Sequence, residues 1–371
     1  MKNKSALQVC FRKLKEERAV AGAVLLAAAL ILTAGPLPEG PAARDSSPDW
    51  SRLSRAIGLE DAPPVPAIMF RLLTVVFLTL AASGLVLNVQ GLLGRDWRFF
   101  SPGPPPEAGW GIWPVAKVAV YFICLLLLFQ RLEALVVDFA GFPRARVYQL
   151  RLLGNAFFQF SLLIVLVLYF LEKFRAATPV SPPGGAERMT AGAAHPEAAR
   201  RTVLPPARLP GPASMDWKGS ARQAVRGYIL FFPALVALIL ISLGVTRALG
   251  VPFQPHPLVQ PLLEAGETSF IWPLFAIGIF LGPLAEELFF RGLLFPALKQ
   301  RMSVFWSAIL TAAVFSTLHL NWAGWLPIFG LGILLAGSYQ KTGSILVPIF
   351  IHVIHNGLFL TFTVLVFELS N

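Results

Sequence analysis

The sequence predicts an all-α fold, a polytopic membrane helix bundle with about eight or nine transmembrane helices, and three observations lead there. Of 371 residues, 56% are hydrophobic and only 14% charged, against roughly 25% charged in a soluble domain. Apolar runs long enough for a helix of about 20 residues to cross a bilayer recur along the whole chain. Pro, Gly and charged residues collect between these runs, where helices end and turns form.

The first run, 19–37, follows a tail carrying Lys2, Lys4, Arg12, Lys13, Lys15 and Arg18, which resembles the start of a signal peptide. No small-x-small cleavage site follows, so it reads as a retained signal anchor. Spans at 66–93, 114–137 and 152–171 come next. Between the first two of these, SPGPPPEAGWGIW (Ser101–Trp113) predicts a Pro-rich turn ending in an interfacial aromatic belt of Trp110 and Trp113. Residues 173–225 are rich in Pro, Gly, Ala and Arg and have few large apolar side chains to build a core, which predicts a cytoplasmic linker. Five further spans follow, at 226–246, 270–297, 304–321, 325–340 and 345–367. The organisation is thus an N-terminal transmembrane region at 1–172 of unassigned role, a linker at 173–225, and a C-terminal membrane region at 226–371.

The formal charge of +11 does not point to nucleic acid, because the basic residues lie mainly between spans, where the positive-inside rule and anionic lipid account for them. Their distribution predicts a cytoplasmic N-terminus, although Arg131, Arg144, Arg146 and Arg151 run against it. Cys10 and Cys124 lie far apart and imply neither a disulfide framework nor a thiolate metal site.

His319, His352 and His355 are all embedded in apolar runs. Ionisable groups at membrane depth cost several kcal/mol unless they are paired or line a wet cavity, so each is a functional candidate. In LAEELFFRG, Glu287 and Arg291 are four apart and share a helix face, where they can form an ion pair. Glu286 is turned about 100° away and left available for chemistry. In FSTLH, Phe315 and His319 are four apart; in HVIHN, so are His352 and Asn356, with His355 nearby in angle. Taken singly, the three clusters have plain readings: charge at the headgroups, a packing pair, and an interhelical hydrogen bond. The hairpin turn near Met302 and Ser303 sets Glu286 and His319 at matching height. His352 falls short by roughly 9 Å at 1.5 Å per residue, unless that hairpin projects beyond the membrane.

A carboxylate and imidazoles converging in a low-dielectric cavity can hold and deprotonate a water, which suits amide hydrolysis. Glu286 would be the base, His319 would position the water, His352 and the Asn356 amide would donate to the oxyanion, and Glu287 with Arg291 would brace the site. The sequence has no HExxH and no pair of intramembrane aspartates followed by GxGD, and Ser338 and Ser344 lack a GxSxG setting. No cofactor is expected; zinc is the alternative, with Glu286, His319 and His352 as its ligands, since two histidines and a carboxylate are the ligand types of a catalytic zinc site.

At these residues the sequence resembles the CPBP family, the CAAX prenyl endopeptidase and bacteriocin-processing membrane proteins also called the Abi family. Its motifs EExxxR, FxxxH and HxxxN stand in order as Glu286-Glu287-Leu-Phe-Phe-Arg291, Phe315-Ser-Thr-Leu-His319 and His352-Val-Ile-His-Asn356. The flanking RGLLFPALKQR and TGSILVPIFIHVIHN stretches look like the family too. The resemblance covers about residues 225–367 and implies that 226–371 is an intramembrane glutamic-type endopeptidase, a class often described as metalloproteases. By it, Glu286, His319 and His352 are catalytic and Asn356 assists. The substrate it implies is a membrane-associated protein or peptide, of CAAX type or a leader or sorting signal, met in the lipid bilayer. The setting it implies is the cytoplasmic (inner) membrane of a bacterium, as a multi-pass protein. The competing reading is a non-catalytic membrane scaffold or bacteriocin-immunity-type protein of the same fold. A proton-coupled transporter would also use buried Glu and His, but the discontinuous helices in matching positions of two halves that would mark one are not evident.

Overall fold

The computed structural model describes residues 64–94, 110–140, 144–177, 216–250, 271–319 and 321–370. Among these, all regular structure is helical. The helices are α1 (Pro64–Gly94), α2 (Ile112–Ala140), α3 (Arg144–Ala177), α4 (Trp217–Ala248), α5 (271–299), α6 (Val304–Leu318), α7 (Trp325–Thr342) and α8 (Leu346–Ser370). All of these helices except α6 and α7 are long and apolar enough to cross a membrane. The chain is a multi-pass integral membrane protein. The count of eight or nine is not reached among the described residues, and the span expected at 19–37 lies outside them.

Two helices run past the apolar stretches that predicted them. α4 begins at Trp217, not at 226, because Asp216 caps it: its Oδ1 accepts from Gly219 N at 2.8 Å, satisfying an otherwise orphaned donor of the first turn. α3 continues to Ala177. Both cut into the linker expected at 173–225, of which 178–215 lies outside the described residues. Hydropathy follows the bilayer, whereas caps and polar turns set where a helix ends.

α6 also ends early. It has 15 residues, roughly 22 Å, short of a hydrocarbon core of about 30 Å. At the turn 321–324 Asn321 Oδ1 accepts from Gly324 N at 2.8 Å, and the Ser316 hydroxyl donates to Trp325 O at 2.5 Å. α7 then packs antiparallel against α6 and stops at Gly343, whose φ of 67° suits glycine; its N–H bonds Tyr339 O at 2.9 Å.

Two apolar cores flank α5 and α8. One joins Phe122, Leu166 and Phe170 of α2 and α3 to Ala285, Leu293 and Ala297 of α5. The other joins Tyr228, Phe232 and Leu235 of α4 to Leu331, Leu335, Val347 and Ile351 of α7 and α8. The N-terminal helices therefore share a core with the helix that carries Glu286. Trp110 corrects the expected aromatic belt. It is buried, its Nε1 donates to Leu293 O at 3.2 Å, and its carbonyl accepts from Gln300 Nε2 at 2.8 Å. Trp113 is exposed, as a lipid-facing residue would be.

α6 and α7 are in close contact at Gly332, where an added Cβ would stand 2.8 Å from Ala312 Cβ and 3.0 Å from its Cα. Gly332→Ala must push the two helices apart. It is expected to destabilise by about 1–3 kcal/mol, read as a lower melting temperature in detergent, and Ala312→Gly in the same chain is expected to restore most of the loss.

Candidate active site

α5 is not a uniform α-helix. Ala276–Leu281 and Leu288–Leu294 are π-helical, and between them lies the α-helical turn Gly282–Glu287, which holds both glutamates. Each π turn re-phases the side chains that follow, a device found often at functional sites. Here it turns Glu286 and Glu287 toward α6 and α8.

Glu287 and Arg291 are both fully buried, and Arg291 Nη1 donates to Glu287 Oε1 at 2.8 Å. Arg291 Nη2 also donates to Gly332 O at 3.1 Å, and its guanidinium lies 4.7 Å from the Phe315 ring centroid. The expected brace is present and ties α5 to α6 and α7. Glu287 Oε1 has a second partner that its spacing did not foretell, Nδ1 of His352 at 2.9 Å.

These partners fix the imidazole tautomers. A carboxylate accepts, so His352 Nδ1 carries the hydrogen; Phe315 O accepts from His319 Nδ1 at 2.7 Å, so the same holds there. In the neutral rings both Nε2 atoms are then acceptors. Each lies 3.9 Å from Glu286 Oε2, and that oxygen is buried with no hydrogen-bond partner among the described residues. The spacing is too long for a direct hydrogen bond, but one water can span either gap, donating its two hydrogens to Glu286 Oε2 and to one imidazole Nε2 at about 2.8 Å. The ring of Phe315 packs edge-on against both imidazoles, with centroids 4.6 Å from His319 and 5.6 Å from His352.

Glu286, Glu287, Arg291, His319 and His352 thus converge from three helices, and the 9 Å shortfall in depth is closed. His319 sits just past the last turn of α6 and not within a longer span. Asn356 is placed differently from the oxyanion role expected of it: its Nδ2 donates to Gly278 O at 2.7 Å. His355 stands apart, with Nδ1 3.2 Å from the Tyr228 hydroxyl and its ring against Phe359.

The donor set has zinc-like chemistry, since each imidazole hydrogen-bonds outward through Nδ1 as metal-ligating histidines do. The spacing does not fit. Two ligands about 2.0–2.1 Å from one tetrahedral zinc are roughly 3.3 Å apart, and the 3.9 Å separations exceed that. Among the described residues no three such side chains are placed to hold one metal ion.

Comparison with known proteins bears on the same segment. Residues 268–358 match the family model described as "Type II CAAX prenyl endopeptidase Rce1-like". The chain is 32% identical over 76 residues to "Putative membrane peptidase YdiL" of Bacillus subtilis (strain 168), covering 20% of this chain and 31% of the relative. It is 30% identical over 168 residues to "Uncharacterized protein YyaK" of the same organism, covering 42% and 50%. It is 34% identical over 154 residues to "Membrane-embedded CAAX protease MroQ" of Staphylococcus aureus (strain USA300), covering 40% and 58%. The chain spans between 31% and 58% of the length of these relatives. No solved structure matches it significantly. The three motifs that carry the family resemblance all fall within the residues, 268–358, that match the family model.

Removing Arg291 would leave the Glu287 carboxylate buried without its cation. Arg291→Met is expected to destabilise by about 3–5 kcal/mol, measured by thermal unfolding in detergent, and adding Glu287→Gln is expected to recover part of that loss.

Proposed function

We propose that the C-terminal region is an intramembrane endopeptidase that hydrolyses a peptide bond of a membrane-associated protein or peptide, using a water activated by Glu286. The observation that carries the reading is the buried Glu286 Oε2, without a hydrogen-bond partner among the described residues, facing two imidazole Nε2 atoms at equal distance. The similarity to a protein named as a membrane-embedded CAAX protease supports the same class.

The chemistry follows from the partners. Glu286 takes a proton from the water as the water oxygen attacks the peptide carbonyl; the same carboxyl then returns that proton to the departing amine nitrogen as the C–N bond breaks. His319 holds the water in line, its ring fixed by the Phe315 carbonyl and the Phe315 ring. His352 serves the oxyanion as an imidazolium whose Nε2 proton is taken up from solvent before the peptide binds, its ring held through Nδ1 by the Glu287 carboxylate. Arg291 neutralises Glu287 in the resting bundle and keeps the brace rigid. The site lies within lipid-embedded helices, so the peptide must arrive from the bilayer or its surface. Processing of a CAAX-type tail or of a leader or sorting signal fits that access. Zinc enters no step of this scheme.

The test uses the full-length chain in liposomes and fluorogenic peptides of two kinds, a prenylated C-terminal tail and a hydrophobic leader. Glu286→Gln is expected to lower the cleavage rate ~100- to 10,000-fold, and His319→Ala and His352→Ala at least ~100-fold, with all three variants folded by thermal unfolding. Full activity in Glu286→Gln would remove the proposed base. Excess chelator is expected to leave the rate unchanged; loss on chelation with recovery on adding zinc would transfer the water's activation to metal. Cleavage of neither peptide, with a bilayer partner retained instead, would favour the scaffold reading.

A further inference from the structure

The turn that leads into Glu286 contains a backbone problem. Gly282 N–H bonds Ile277 O, five residues earlier. In that register the next carbonyl, Gly278 O, pairs with the N–H of residue 283. Residue 283 is proline and has none. Gly278 is buried, and a buried carbonyl without a donor is costly and rare. The missing hydrogen comes from another helix: Asn356 Nδ2, one turn beyond His352 on α8, reaches Gly278 O at 2.7 Å. The surroundings leave little slack, since a Cβ at Gly282 would stand 3.2 Å from Ile277 O and 3.6 Å from Glu286 Oε1.

We propose that Asn356 is a positioning residue, and that it works as a pair with Pro283. Proline removes the donor that would otherwise satisfy Gly278 O from within α5, and the amide supplies that donor from α8. The pair latches α5 to α8 at the wide turn and holds its i→i+5 phase. That phase decides where Glu286, three residues beyond Pro283, points. Without the pair, the turn can slip toward ordinary α pairing, which rotates every later side chain of α5 by about 100° per residue of slip. The same latch fixes the height of α8 against α5, and so the meeting of His352 with Glu286 and Glu287.

This inference rests on the protease reading only where it concerns rate. The latch is a claim about helix packing, and heat tests it directly. Purified full-length chain is compared as wild type, Asn356→Ala, Asn356→Leu, Pro283→Ala and the double variant Pro283→Ala/Asn356→Ala, by melting temperature in detergent and by cleavage of the two peptides above. Both Asn356 variants are expected to melt several degrees lower. The double variant is expected to recover most of that loss, because residue 283 then has its own N–H. In cleavage, Asn356→Ala is expected to lose at least ~10-fold in kcat, with the double variant returning to within about threefold of Pro283→Ala.

Wild-type melting in both Asn356→Ala and Asn356→Leu would overturn the latch. So would a double variant that melts no higher than Asn356→Ala. Should Pro283→Ala itself fail to fold, the two Asn356 variants decide the question alone. Loss of cleavage in Asn356→Ala without any change in melting would sink the latch and keep the protease. The expected melting pattern with no cleavage by any chain would keep the latch and sink the protease.

Discussion

A carboxylate with no solvent exposure sits among four lipid-embedded helices, and the arrangement of the C-terminal bundle follows from how it is satisfied. Glu287 Oε1 accepts from Arg291 on its own helix and from His352 on α8. Arg291 reaches on to the Gly332 carbonyl of α7 and the Phe315 ring of α6. Removing such a charge from water costs several kcal/mol per ion, which only close geometry and further hydrogen bonds offset. A bundle held this way is not held cheaply, since apolar side chains of the same volume would pack at least as well. The pair is better understood as fixing position: it orients the His352 ring and orders α5, α6, α7 and α8 around one point.

The outer helices act on that point from behind. α2 and α3 fill the side of α5 opposite the site, with Phe170 so close to Gly292 that an added Cβ would stand 3.2 Å from the ring. Trp110 bonds to Leu293 O at the second π turn. The N-terminal helices therefore belong to the wall against which the Glu286 helix is held, whatever else they do. They lie outside the segment, 268–358, that matches the family model.

The chemistry was legible in the sequence because buried charge is expensive: Glu286, Glu287, His319 and His352 stand out against apolar neighbours, and the i, i+4 rule pairs Glu287 with Arg291 and aligns His352 with Asn356. What stayed hidden depends on backbone detail that composition does not carry. The π turns of α5 leave no pattern in hydropathy, although Gly282-Pro283 and Pro296 mark where α pairing fails. Trp110 sits in a Pro-rich stretch that looks like an interface, and it is buried by Tyr169 and Phe170 of α3 and by Leu293 of α5. Asp216 marks the early start of α4 as a capping residue, a signal that hydropathy does not carry. The reversal after Leu318 depends on the Asn321–Gly324 turn, which periodicity blends into one long apolar run.

The reach of α6 carries a further consequence. A helix about a turn or more too short for the bilayer is matched by local thinning of the lipid around it, at a fraction of a kcal/mol per ångström. His319 rides at that shortened end. Chain length and order in the surrounding lipids would then set how far the aqueous boundary lies from the imidazole. Lipid thickness would then bear on the depth at which solvent and peptide meet the cluster.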